Sequence, residues 1–306
     1  MRLSIVTINY NNAEGLKRTL ESVAAQTYRD IEHIIVDGGS TDGSVEVIKK
    51  YENINHSPLH PLTIKWSSEK DNGIYNAMNK GIEIALGKRI VNALNRSEQR
   101  EDKNKVCADY IQILNSGDIL ASDDVTERMI SALHSFTPST LNDKIDVPIL
   151  YGNMLKKDYA TGKIIGKSRM VEYSLRQYYS STMNHDCCYI HRDVYEKYGL
   201  YDENLKIVSD WKWFLQAIGL GNVKPVYTDI DVTIFDACGV SETNLVLREN
   251  ERRQVLEELL PPAILSDYDK HAFDAEQMNR LRKHHLYWLV YFIERVLFKL
   301  EKWHLI

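Results

Sequence analysis

Residues 3–8 read LSIVTI and residues 32–37 read EHIIVD. Between them, Gly15 to Ala25 places its apolar side chains at helical spacing. Two β-branched runs joined by a helix form a parallel crossover unit, because parallel strands need a long connection and a helix supplies it. The unit repeats outward from there. Ser44 to Tyr51 is helical in pattern, LTIKWS at 62–67 is strand-like, and a helix is predicted from about Ile74 to Leu86. DYIQIL at 109–114 supplies a fourth strand. The pattern predicts an α/β fold with a mixed, mainly parallel sheet flanked by helices, in which ligands bind beyond the carboxyl ends of the strands.

The alternation breaks at residues 87–106, GKRIVNALNRSEQREDKNKV, so 88–108 are expected to form a surface loop or insertion. ILYGNML (149–155) and GKIIG (162–166), joined through Ala160, Thr161 and Gly162, predict an antiparallel hairpin. DCCYI (186–190) and VYTDIDVTIF (226–235) predict further strands, and Ser209 to Gly219 an amphipathic helix. Within that helix Trp213 is the better candidate for an outward-facing ring. The composition changes at Pro261 and Pro262, after a charged helix ending EELL. The expected division is a catalytic domain at 1–250, made of halves 1–120 and 121–250, with a helical tail at 251–306. The tail's apolar run, Leu286 to Ile293, is shorter than the roughly 20 residues a membrane span needs. Leu289, Ile293, Val296, Leu300 and Trp303 form a stripe beside Arg295, Lys299 and Lys302. A helix of this kind lies on anionic lipid, or packs on its own domain or a twin chain.

The 306 residues carry 38 basic and 43 acidic side chains, a net charge of −5, which is the wrong sign for a general nucleic-acid binder. Of the four cysteines, Cys187 and Cys188 adjoin in an expected strand, where their side chains point to opposite faces and do not bridge. Free thiols and the lack of a leader-like start point to the cytoplasm.

Three expected strand ends carry polar motifs. Asp37 is followed by GGSTDGS, which includes Gly39 and Ser40; a carboxylate here grips a base or ribose, or only forms a turn. Asp71 and Gly73 open the helix that holds Asn76, Asn79 and Lys80. Ser116, Gly117 and Asp118 follow the fourth strand, where a carboxylate suits a hard cation sharing its oxygen ligands with substrate phosphates.

SIVTINYNN, IIVDGGSTDGS, EKDNGIYNAMNKGI and ILNSGD, in this order and spacing, resemble the inverting family 2 glycosyltransferases of the bacterial surface-polysaccharide type, which have the GT-A fold. The resemblance continues through residues 185–217 and FDACGVS (235–241) and ends near residue 250. It implies transfer of a sugar from a nucleotide-sugar donor, UDP-linked by default, to the hydroxyl of a glycan or lipid-linked glycan acceptor in capsule, O-antigen or exopolysaccharide synthesis, at the inner membrane face. Thr7, Ile8, Asn9 and Tyr10 would line the nucleoside and Asp37 the base. Gly39, Ser40, Asp71, Gly73, Asn79 and Ser116 would also contact the donor. Asp118 would hold a divalent metal ion (Mn or Mg), Asp210 in VSDW would be the general base, and His185 would orient the acceptor or meet the diphosphate. Asp210 also suits a helix N-cap. The chain departs from the family at Ser116, where many relatives carry a first Asp of Asp-x-Asp, and at Met78, where other branches carry arginine. A non-catalytic nucleotide-sugar or glycan-binding protein on the same fold is the alternative. A Rossmann dehydrogenase or methyltransferase would want a glycine-rich first turn, which SIVTINYNN lacks.

Overall fold

The computed structural model describes residues 1–55, 62–89, 107–136, 147–158, 161–168, 174–236, 244–284 and 286–302. Most of the expected insertion, as well as Ala160, Ala237 to Ser241 and Trp303, lies outside them. The chain forms two compact units, Met1–Arg252 and Arg253–Ile306.

The first unit opens with β1 (Leu3–Asn9), α1 (Ala13–Ala24), β2 (Ile31–Asp37), α2 (Ser44–Asn55), β3 (Thr63–Ser68), α3 (Ile74–Ala85) and β4 (Tyr110–Ile113). It continues through β5 (Ile119–Leu120), α4 (Val125–Phe136), β6 (Ile149–Asp158), β7 (Lys163–Lys167), α5 (Leu175–Ser180), β8 (Cys188–His191), α6 (Arg192–Tyr198), α7 (Ser209–Phe214) and β9 (Pro225–Asp236). The sheet order is β3-β2-β1-β4-β8-β6-β9-β5, with β7 on β6. The first four strands in that order are mutually parallel, and β8 enters antiparallel to β4 and β6. Because β1 to β4 run the same way, the ends of all four open at one edge, where the motifs lie.

β1 and β2 are buried along their whole length, which explains their nearly continuous apolar sequence. One core joins Leu3, Ile5, Met129, Leu150, Tyr189 and Val232; another sets Leu16, Leu20 and Ile48 of the helices against Ile35.

Several sequence expectations change. Cys187 belongs to a 3-10 turn over His185–Cys187 rather than to β8, and the thiols of Cys187 and Cys188 both donate to the Asn184 carbonyl, at 3.2 and 3.0 Å. The expected helix over 209–219 is α7 followed by a π turn, Leu215–Leu220. Trp213 faces inward: it is 1 % exposed, lies against Tyr195, and donates from Nε1 to the Gly199 carbonyl at 2.8 Å.

α8 (Leu245–Leu259) carries the chain out of the first unit. In the second, Pro262 opens α9 (Pro262–Lys283), as its fixed φ and missing N–H suit a first helical turn, and α10 (Tyr287–Lys302) follows. Among the described residues no helix is long and apolar enough to cross a membrane.

Candidate active site

Three strand ends meet at Gly38. A Cβ there would stand 2.7 Å from Oδ2 of Asp71, which follows β3, and 3.2 Å from the Tyr10 ring, which follows β1. Only glycine lets these groups approach so closely. Tyr10 is 66 % exposed, so its side chain is open to solvent at this edge of the sheet.

Beneath it, Asp37 is fully buried. Its Oδ1 accepts from Asn9 Nδ2 at 2.8 Å and Ser40 Oγ at 2.5 Å, and its Oδ2 from Ser68 Oγ at 2.6 Å and the Gly39 and Ser40 amides at 3.2 and 3.0 Å. Burial pushes its pKa up, but the bonds from Ser40, Ser68 and Asn9 outweigh it and hold the carboxyl below its usual range. Asp37 therefore acts first on the protein itself, folding the 38–40 loop around its charge. Gly39, at φ +80°, occupies a conformation that side chains rarely adopt.

Two residues expected at the donor hold their side chains within the protein. The Thr7 hydroxyl lies in the interior, 2.9 Å from His33 Nε2, whose Nδ1 lies 2.9 Å from the Tyr51 hydroxyl. Burial lowers the His33 pKa to about 3, so this is a neutral core network. Asn79 is 5 % exposed and bonds away from the cleft: Nδ2 donates to the Tyr201 carbonyl and to Glu203, and Oδ1 accepts from the Tyr201 amide, all at 2.9 Å. It fastens α3 to the segment before α7. Ile8 is 7 % exposed, and Lys80 pairs with Glu69 at 2.8 Å.

Asp71 Oδ1 accepts from the Gly73 amide at 2.9 Å, turning the chain into α3. Tyr75, on the first turn of α3, shares its single hydroxyl proton between the Ile207 carbonyl at 2.6 Å and Asp210 Oδ1 at 3.0 Å. The other Asp210 oxygen, Oδ2, lies 3.1 Å from His185 Nδ1, and His185 Nε2 lies 3.2 Å from Asn115 Nδ2. Asn115 begins the loop that ends at Asp118. Asp118, His185 and Asp210, far apart in sequence, thus converge on one neighbourhood. Asp210 does not cap α7; its carboxylate turns to His185 and Tyr75 instead.

Burial would raise the Asp210 carboxyl, but the bond and charge of His185, with the Tyr75 hydroxyl, hold it below its ordinary range. Burial would likewise lower His185, yet Asp210, with the charges of Asp186 and Asp118, raises its pKa. The favoured state is an imidazolium–carboxylate pair, each side chain 18 % exposed. A charged ring donates from Nε2, and the buried Asn115 Oδ1, which has no hydrogen-bond partner, accepts that proton if the amide turns over.

A pH dependence follows. The Asp210 contribution to stability is fully present above 3.8 and is lost as pH falls through its depressed folded value. The His185 contribution is fully present below 6.5 and is lost as pH rises through its raised value. Between 3.8 and 6.5 both are in place. Thermal unfolding from pH 6 to 9 should show wild type losing stability relative to His185→Asn as pH rises; parallel curves would refute the pairing.

Two supporting residues escaped the sequence reading. Thr19 of α1 accepts from the Gly117 amide at 2.9 Å and donates to the Asp118 carbonyl at 2.7 Å, fixing the loop. Asn12 caps α1 through Gly15 and donates to the Ser116 carbonyl at 3.0 Å. An asparagine just before a helical run is a readable cap signal; a mid-helix threonine gives none.

The sequence pattern of Glycosyl transferase family 2 matches residues 4–93. An uncharacterized glycosyltransferase of Mycobacterium tuberculosis is 29% identical over 244 residues, covering 78% of this chain and 76% of that protein. A PGL/p-HBAD biosynthesis glycosyltransferase of Mycobacterium bovis is 21% identical, covering 82% of each. Among solved structures, S. aureus TarS 1-349 in complex with UDP-GlcNAc superposes with a TM-score of 0.56 at 14% identity, over 79% of this chain and 61% of that one. The Pyrobaculum calidifontis mannosyltransferase with GDP-Man and Mn2+ gives 0.57 at 14%, over 89% and 69%. Family pattern, relatives and fold agree with the motifs gathered at the sheet edge: residues 4–93 carry the family 2 glycosyltransferase pattern, and the chain is a glycosyltransferase with the GT-A fold.

Proposed function

We propose that this glycosyltransferase moves one sugar from a nucleoside-diphosphate donor to an acceptor hydroxyl by a single displacement that inverts the anomeric carbon. The observation that carries the reading is the Asp210 carboxylate, kept ionised by His185 and Tyr75 in the same neighbourhood as the Asp118 loop. The acceptor oxygen attacks the anomeric carbon, the bond to the diphosphate oxygen breaks, and the hydroxyl proton passes to Asp210. A carboxylate with a low resting pKa is a weak base, but the hydroxyl becomes acidic as its oxygen bonds to carbon, so transfer is favoured late in the step. Tyr10 offers its exposed ring to the nucleoside, and Asp71 and Gly73 stand beside the sugar.

Asp118 is 4 % exposed at the end of a loop held by Thr19, and no cluster of three or more His, Cys, Asp or Glu forms a metal cage among the described residues. This donor set fits a hard cation bound by one protein carboxylate and completed by diphosphate oxygens, Mn or Mg in type. Such an ion, when bound, neutralises charge developing on the departing diphosphate. The donors named for TarS and the mannosyltransferase, UDP-GlcNAc and GDP-Man, and the Mn2+ with the latter support this class of donor and metal for the present chain. Calorimetric titration of UDP, GDP and dTDP with and without manganese tests it. Metal-dependent binding of one nucleotide is expected; equal affinity for all three without metal would remove the reading.

The acceptor we propose is a glycan or lipid-linked glycan in cell-surface assembly, with the enzyme acting at the cytoplasmic face of a membrane; that one relative is a PGL/p-HBAD biosynthesis glycosyltransferase supports a biosynthetic role. In the second unit Trp288, Phe292, Ile293, Val296 and Phe298 are exposed on α10, where Arg295 and Lys299 also lie, and Arg280, Arg282 and Lys283 end α9. Aromatic and aliphatic side chains mixed with cations suit an anionic lipid surface. The full chain is expected to sediment with phosphatidylglycerol vesicles and not with phosphatidylcholine vesicles, and the Trp288→Glu/Phe292→Glu double variant with neither. A concentration-dependent dimer that ignores both vesicles would assign the face to a twin chain.

A further inference from the structure

We propose that Glu251 and Arg252 are positioning residues for Asp210, so that the start of the chain's exit from the first unit is part of its catalytic apparatus. The inference rests on Asp210 being the base. Glu251 is 7 % exposed, and its carboxylate gathers three consecutive backbone amides: Oε1 accepts from Lys206 at 2.8 Å, and Oε2 from Ile207 at 2.9 Å and Val208 at 3.3 Å. These residues lead directly into α7. Ile207 in turn gives its carbonyl to the Tyr75 hydroxyl that also reaches Asp210. On the other side of Asp210, the Arg252 guanidinium lies 4.8 Å from the centre of the Trp211 ring and donates to the Ser180 carbonyl at 3.1 Å. Trp211 Nε1 donates to the Tyr178 carbonyl at 2.6 Å. Two adjacent residues of α8 therefore grip the chain before and after the base.

The physical case is one of satisfaction. A carboxylate is costly to bury unless several donors surround it, and buried amides are costly to leave without acceptors. Glu251 and the 206–208 amides answer both needs at once. With Glu251 removed, the buried amides of Ile207 and Val208 must find other partners, and the loop carrying them must move. That movement shifts the Ile207 carbonyl, frees the Tyr75 hydroxyl to reorient, and displaces the Asp210 carboxylate from the line of the attacking oxygen. A displacement of about 1 Å in such a site costs about a hundredfold in rate. Glutamine does not substitute, because its amide N–H2 would face a backbone donor on one side.

The test uses the full chain with Glu251→Gln, Glu251→Ala and Arg252→Ala, and Glu249→Gln as a control on an exposed neighbour that pairs with Arg248. The decisive readout is the NMR titration of His185, assigned by its loss in His185→Asn. It needs no known donor or acceptor and reports directly on the carboxylate 3.1 Å away. In the Glu251 variants the His185 midpoint should fall toward 6.5 with the fold intact by circular dichroism, while Glu249→Gln matches wild type. UDP release from UDP-GlcNAc, or GDP release from GDP-mannose, should fall about a hundredfold with nucleotide affinity unchanged. An unaltered His185 midpoint in both Glu251→Gln and Arg252→Ala would overturn the proposal. A lowered midpoint together with full activity in Asp210→Asn would instead keep the positioning contact and remove the base assignment, so the two failures are distinct.

Discussion

Asp210→Asn is expected to lower sugar transfer by about two to four powers of ten and to leave nucleotide binding unchanged. The substitution is nearly isosteric, so the site around it should persist. Tyr75 donates to Oδ1 and His185 faces Oδ2, and an asparagine oxygen satisfies only one of them. What disappears is the oxygen proposed to take the acceptor proton. Without it the acceptor proton has no base to receive it, which raises the barrier for the step but does not touch the donor contacts proposed at Tyr10 and Asp71. The fall should therefore appear in kcat, with little change in donor KM, since an interaction made only in the transition state has been removed. The check is a steady-state assay with the nucleotide sugar found by calorimetry, together with the anomeric configuration of the product by NMR. A product of retained configuration, or a variant with wild-type kcat, would dismiss Asp210 as base.

The second large effect is at Asp118. Asp118→Ala should abolish the manganese dependence of nucleotide binding and reduce transfer by about a hundredfold or more, the scale of losing one charge-stabilising group at a reacting centre. The loop should survive, because its shape is set by backbone contacts: Thr19 holds the Gly117 amide and the Asp118 carbonyl, and the Asp118 amide donates to the Asn115 carbonyl at 3.1 Å. Ser116 and Gly117 precede it in the loop, so the loop itself offers no second carboxylate there. Titration of the nucleotide into wild type and variant, with and without manganese, separates the outcomes. Metal-dependent binding that persists in Asp118→Ala would place the metal elsewhere. The same variant should also lower the His185 midpoint modestly, because the Asp118 charge is among those that raise it.

The sequence by itself determined the skeleton. The strand–helix alternation from Leu3 to Ile113 is local: a buried parallel strand must be apolar along its length, and a crossover helix must be apolar on one face, so each element is written in its own residues. The motif positions Asp37, Asp71 and Asp118 were legible for the same reason, since parallel strands bring their ends to one edge whatever the details. The sequence also marked Asp210 and His185, but only by family resemblance; nothing local joins residues so far apart.

Tertiary structure decided which polar side chains the cleft receives. Thr7 and Asn79 sit in matching motifs, yet the first is drawn into a buried network with His33 and the second fastens α3 to residue 201. A strand's alternation and a helix's period say which face a residue is on, not which partner that face meets. The same limit hid Tyr75, Thr19 and Glu251, each of which bonds across more than 40 residues of chain. The charge state of the site is tertiary too. Asp210 is held ionised against its burial because His185 and Tyr75 arrive from two other elements, and no reading of VSDW alone contains them.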